Sequence, residues 1–218
     1  LDGSQKLWVI SYGYPKIASQ TDIELILNRF LDNFKLVSSA SVEKKISISK
    51  KPEELFKALL TSPISPDILP QGMSSRGNSA SEIDATGKAL KQVGAVTIQI
   101  EDPIAGICFQ PNSPSTCVKG VPNGGISYAI FPDASGAKNA SEIIGGHFAN
   151  GQILEGFPYS AKIYSNAIFG LAPTTIIVLS VENVTLVTTL SSTDSNVIRS
   201  RSILLTQAAI KHLEKVGK

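Results

Sequence analysis

The sequence predicts an α+β fold: an antiparallel sheet with helices packed on one face, ordered βββα then βββα over the C-terminal two thirds, preceded by a strand–helix unit. Three observations carry that reading. Apolar residues recur at helical spacing over much of the first ninety positions and at a spacing of two from Gly94 onward. The charges are unevenly placed: residues 92–198 hold three basic residues (Lys119, Lys138, Lys162) and seven acidic ones, whereas residues 199–218 hold five basic residues and one acid, Glu214. A stretch so poor in charge reads as a sheet whose exposed positions are Ser, Thr, Asn and Gly, or as a surface covered by a partner. Finally, caps and turns punctuate the periodic segments, notably at Asp133, at Gly145 and Gly146, and at Glu182 and Asn183. The expected domains are residues 1–51, a strand–helix extension ending in a Lys/Ser-rich linker, and residues 52–218, the sheet domain.

The elements follow in order. Residues 7–12 read as a short strand, and Thr21 with Glu24 forms a capping box ahead of Ile23, Ile26, Leu27, Phe30, Leu31 and Phe34, one helix face. Residues 38–51 are polar with Val42, Ile46 and Ile48 spaced along them, an exposed strand or a linker. Pro52, Glu53 and Glu54 open a helix, with proline in the first turn and acids at its positive end. Leu55, Phe56, Leu59 and Leu60 give it an apolar side, and Pro63, Pro66 and Pro70 close it. Residues 74–81 read as an open loop and 81–93 as a helix weakened by Gly87. Val96, Ile98 and Ile100 mark a strand, Glu101 to Pro103 a turn, and 107–110 a second strand. Ile126, Tyr128 and Ile130 mark a third, with Asp133 capping a helix that runs to Ile144. Residues 159–165, 174–181 and 184–190 are three more strands, the last two joined by Glu182 and Asn183. A closing helix over 196–216 places Lys211, His212 and Lys215 near its negative end.

The chain has 218 residues, 17% of them charged, with a net charge of +2. Nucleic-acid binding is not supported without a clustered basic surface, and no apolar run approaches the ~18 residues of a membrane span. Cys108 and Cys117 flank a Pro/Asn/Ser loop that must turn back, so a disulfide across it is geometrically easy and contributes roughly 2–3 kcal/mol in the chain-entropy model. Two unrelated buried thiols are the alternative, and zinc lacks its paired ligands. The start at Leu1 without Met reads as a removed leader or as a trimmed chain. Together these point to an extracytoplasmic location: secreted, periplasmic or in the cell envelope. Two sequons, at Asn139 and Asn183, match chance expectation.

Catalytic constellations are sparse. Only His147 and His212 offer an imidazole. Gly125-Ile-Ser-Tyr-Ala129 departs from the hydrolase elbow at its fifth position, and Ser127 falls within a strand rather than at a strand-to-helix turn. Ser127, Asp133 and His147 stand in hydrolase order but span too few residues for that fold. Glu101 and Asp102, adjacent on a strand, point apart and make a poor acid–base pair. No phosphate loop, dinucleotide fingerprint, calcium loop or paired metal histidines occur, so no catalytic residue, cofactor or metal is expected.

Three stretches carry a resemblance: Leu59 and Leu60 followed by Asp67, Leu69, Pro70 and Gly72; Ile126-Ser-Tyr-Ala-Ile-Phe-Pro-Asp-Ala-Ser-Gly-Ala137; and Ile176-Ile-Val-Leu-Ser-Val181 before an Ala-containing helix. Over about residues 55–216 the chain resembles PsbP-like extracytoplasmic α/β domains of bacterial lipoproteins and kinase sensors. The resemblance implies a non-catalytic fold used in ligand sensing, envelope association or assembly. The expected function is therefore a non-catalytic secreted or envelope-associated binding or assembly protein. A protein partner is expected, a small-molecule ligand is allowed, and nucleic acid and a transmembrane span are not expected. The alternatives are a small hydrolase using His147, or a structural subunit of a larger extracellular or membrane-associated complex.

Overall fold

The computed structural model describes residues 45–80, 94, 100–105, 123–155, 157–169, 172–191 and 195–218. The expectations for residues 7–12, the Thr21 capping box, 81–93, Val96, Ile98 and 107–110, and the Cys108–Cys117 disulfide, lie outside the described residues. Contacts divide the chain into two compact units, Leu1–Ser41 and Val42–Lys218, and the described residues all lie in the second.

That unit is α+β. Among the described residues its elements are α1 (Pro52–Thr61), β1 (Ser74–Ser75), β2 (Ser79–Ala80), β3 (Ile100–Ala105), β4 (Gly124–Ile130), α2 (Ala134–Gly146), β5 (Gln152–Ile153), β6 (Ala161–Phe169), β7 (Ala172–Val181), β8 (Val184–Ser191) and α3 (Ser195–Gly217). The strands form one sheet in the order β1-β3-β4-β8-β7-β6-β5, with β2 also on β3. Every pairing is antiparallel.

The helices cover both faces, which corrects the expectation of a single covered face. Leu55 and Leu59 of α1 and Leu205, Ala209 and Leu213 of α3 share a core with Ile177, Leu179, Val184 and Leu186 of the sheet. Ala137, Ala140 and Ile144 of α2 share a separate core with Ile176, Val178 and Tyr164. The reason lies in β7, where four consecutive apolar residues, 176–179, are all buried. Successive strand residues point to opposite faces, so a continuous apolar run demands cover on both.

Two further expectations are corrected on β3. Glu101 to Pro103 is not a turn but strand interior, with Glu101 opposite Ser127, Asp102 opposite Ile126 and Pro103 opposite Gly125. A proline fits because the Pro103 carbonyl accepts from the Arg76 N–H. In a strand the N–H and C=O of one residue face the same side, so the missing N–H faces the break between β1 and β2 rather than the β4 ladder. Likewise, residues 74–81 are not wholly an open loop, since β1 and β2 lie within them and pair with β3.

Local chemistry explains the element ends. Asp133 caps α2 by accepting from the Gly136 N–H at 2.8 Å. The hairpin turn between β7 and β8 takes the left-handed conformation at Glu182, with φ 51°, and the Asn183 amide donates back to the Phe131 carbonyl. Residues 45–50 do not form a free linker: Ile46 is buried, and its N–H donates to the Tyr159 hydroxyl at 2.7 Å. The Ser49 and Lys50 N–H groups both donate to the Gly217 carbonyl, and Lys50 Nζ donates to Val216, so this segment caps the C-terminal end of α3.

A buried hydroxyl pair ties α3 to β8. Thr206 Oγ1 donates to the Ser202 carbonyl at 2.8 Å and lies 2.6 Å from Thr188 Oγ1. A hydroxyl has one proton to give, so Thr188 is the donor within the pair. Thr206→Val strands that donor and is expected to cost about 1–3 kcal/mol, whereas Thr188→Val removes it and is expected to cost less than about 1 kcal/mol. Urea melts that gave equal losses would contradict the assignment.

Candidate functional site

The structure separates the residues that the hydrolase alternative requires. Ser127 lies within β4, as the sequence predicts. Asp133 and His147 stand at opposite ends of α2, as its N-cap and C-cap. A helix of thirteen residues spans about 20 Å, so the Asp133 carboxylate cannot orient the His147 imidazole. Among the described residues no three His, Cys, Asp or Glu side chains cluster to hold a metal, and no described helix is long and apolar enough to cross a membrane.

Two other places bring polar groups together. The first is an open groove of about 100 Å³ on the α2 face, lined by Lys138, Ser141 and Glu142 of α2, Ser160 and Lys162 at the start of β6, and Val178 and Ser180 of β7. It forms where α2, seated on β7 and β8, passes the start of β6. Among the described residues neither lysine pairs with a carboxylate, Glu142 included. Beside the groove, β5 pairs with β6 for two residues only, and Ile153 stands directly opposite Lys162. Cross-strand partners share a face, so the side chain of Ile153, 75% exposed, lies on the groove side of the sheet. The other large apolar side chain exposed among the described residues, Ile143 (37%), is on α2 itself. Around this edge, Gly145 and Gly151 flank Tyr164: a Cβ on either would lie 2.4 Å from its phenol, so glycine lets that ring insert between α2 and the following loop.

The second place is a closed polar cluster beneath residues 62–80. Asp102, 1% exposed, accepts from the Ile64 N–H at 3.3 Å and from the Ser75 hydroxyl at 2.5 Å. Burial raises its carboxyl above the usual range, opposed by those donors and by the Arg76 N–H. Tyr128 and His212 are buried with it, their rings 6.4 Å apart. Burial holds the His212 imidazole below its usual range, with the Ser62 backbone opposing and Lys215 adding to the depression, and the Asn78 amide donates to the Ser62 and Leu59 carbonyls. Three buried atoms in this region, Tyr128 Oη, His212 Nε2 and Asn78 Oδ1, have no hydrogen-bond partner among the described residues. His212 therefore does not serve as a solvent-facing charge at the end of α3, as its position in the sequence suggests.

Sequence reasoning missed this cluster, although one signal was available. Ile100, Asp102 and Ile104 alternate, so the phase that buries both isoleucines buries the aspartate too. The adjacent proline suggested a turn and masked it. The groove had no comparable signal, since its residues come from three segments of unremarkable composition.

The chain matches no protein-family model and no curated protein.

Proposed function

We propose that this chain is a non-catalytic, extracytoplasmic binding or assembly protein that meets a protein partner on its α2–β6–β5 side. One observation supports this reading above the others. Lys138 and Lys162, two of the three basic residues in the charge-poor stretch 92–198, converge on one groove beside the exposed Ile153. Cations without a carboxylate partner among the described residues, hydroxyls and a large apolar side chain on one surface suit a partner that is acidic and partly apolar. The short β5 adds a backbone contribution. It leaves residues 164–169 of β6 without a ladder partner on their outer side among the described residues, an edge on which an extended segment can add as a strand. The PsbP-like resemblance and the charge-poor sheet are in keeping with an envelope or secreted setting and with a non-catalytic role.

Native mass spectrometry of protein isolated from its source tests the proposal, because it reads companion chains, ligands and the Cys108–Cys117 disulfide together. A companion at fixed stoichiometry is expected, lost at least tenfold in the Ile153→Asp, Lys162→Glu double variant while the variant keeps its melting transition. A chain that stays a bare monomer at micromolar concentration, or a companion retained by the double variant, would overturn the surface assignment.

A further inference from the structure

We propose that Asn150 is a self-modification site, converted spontaneously to aspartate and isoaspartate through a cyclic imide closed on the Gly151 nitrogen. The inference does not rest on the partner reading.

The chain holds two Asn-Gly pairs, Asn123-Gly124 and Asn150-Gly151. In such a pair the backbone nitrogen of the glycine attacks the side-chain carbonyl carbon of the asparagine. A bond forms between that nitrogen and Cγ, and the bond from Cγ to the side-chain nitrogen breaks. The departing nitrogen takes the proton of the attacking N–H and leaves as ammonia. Water then opens the imide. Opening at the side-chain carbonyl gives aspartate, and opening at the main-chain carbonyl gives isoaspartate, in which the chain runs through Cβ and Cγ. Nothing is oxidised or reduced, and water is the only co-reactant. Glycine favours the step because no side chain shields its nitrogen or restricts its backbone.

The sequence treats the two pairs alike, and the fold separates them. Around Asn123 the main chain and the side chain are both engaged. Its N–H donates to the Ile104 carbonyl at 3.1 Å, its carbonyl accepts from the Ser191 N–H at 2.7 Å, and its side-chain amide donates to the Ser191 carbonyl at 3.0 Å. Gly124 lies within β4, paired with Ile104 on one side and Leu190 on the other. A Cβ on it would lie 2.5 Å from the Thr189 carbonyl oxygen, so the chain there is pressed against β8. Ring closure at Asn123 requires the sheet to open locally.

Asn150 stands in the opposite condition. It is exposed in the loop between α2 and β5, in the left-handed region with φ 59°. Among the described residues neither its side chain nor the Gly151 N–H has a hydrogen-bond partner. The β5 ladder begins one residue later, with Gln152 opposite Ile163. Both reacting groups are therefore free to meet without breaking any structure.

The two products have different consequences. Aspartate shares with asparagine a tolerance for the left-handed region, so it adds a charge and keeps the loop. Isoaspartate lengthens the main chain by one atom immediately before Gly151, whose place is fixed by the Tyr164 ring, 2.4 Å from where a Cβ would stand. Only two residues of β5 pair with β6. A ladder so short has little to hold its register against the insertion, so the isoaspartate form releases β5.

The whole chain, incubated at mildly alkaline pH and then digested, tests this by peptide mass spectrometry, since each conversion raises the mass by about 1 Da. Asn150 is expected to convert at least tenfold faster than Asn123 in the native chain, and the two rates are expected to converge in urea. Equal native rates, faster conversion at Asn123, or a difference that persists in urea would overturn the proposal. Hydrogen exchange on the separated isoaspartate form and on Asn150→Asp tests the consequence. Amides of residues 152–154 should lose protection in the first and keep it in the second, and equal protection in both would overturn the release of β5.

Discussion

Phe131→Ala is expected to cost about 3–5 kcal/mol and to loosen α2 selectively. Phe131 is fully buried at the end of β4, against the backbone of Gly136 in the first turn of α2. It belongs to the smaller of the two cores, a cluster of eight buried residues among those described, so its removal takes away a larger share of the apolar contact there than a similar change would in the larger core. The Phe131 N–H still donates to the Asn183 carbonyl and the Asn183 side-chain amide to the Phe131 carbonyl in the variant, so the β4–β8 connection holds while the helix loses its seat. In denaturant melts the midpoint should fall. In hydrogen exchange α2 should open before α1 and α3. A loss below about 1 kcal/mol, or simultaneous opening of all three helices, would contradict the two-core description. Because α2 carries Lys138, Ser141 and Glu142, partner binding should weaken in parallel.

Asp102→Ala is expected to cost about 2–4 kcal/mol, since it leaves the Ile64 N–H and the Ser75 hydroxyl without their acceptor in a buried place. Asp102→Asn keeps one carbonyl acceptor and should cost about half as much. The pH dependence carries a sign opposite to that of His212. Burial raises the folded-state value of Asp102, so its ionised form weighs against the fold above that value. The weight is relieved as pH falls through the raised value toward the unfolded ~3.9. Wild-type stability should therefore carry two opposed contributions below neutrality: a loss from His212 that begins below ~6.5, and a gain from Asp102 as pH falls through its raised value toward ~3.9. In Asp102→Asn the gain should vanish while the loss remains. Identical stability–pH curves for the two proteins would show that Asp102 titrates no differently folded than unfolded.

Strong local signals carried most of the architecture. Asp133 announced α2, Glu182 and Asn183 announced the β7–β8 hairpin, and Pro52 with its two acids announced α1, because caps and turns are chemistry within a few residues of chain. Periodicity located β4, β7 and β8 for the same reason: alternation is a property of one strand and its two faces. What it leaves open is the number of covered faces. The run at 176–179 held that information, but a short apolar run is equally consistent with several buried settings until its neighbours are known.

By itself, then, the sequence determined the element order, the antiparallel α+β class and the charge-poor sheet, all of which depend on composition and short-range spacing. Only the tertiary structure decided which side each helix covers, that Pro103 is tolerated within β3, and that Asp102, Tyr128 and His212 meet. Asp102 and His212 stand more than a hundred positions apart, and each neighbours Tyr128 only because of the strand order and the seating of α3 against β4. The groove has the same origin: Lys138 and Lys162 are ordinary surface lysines until the seating of α2 on β7 and β8 brings both to one lining.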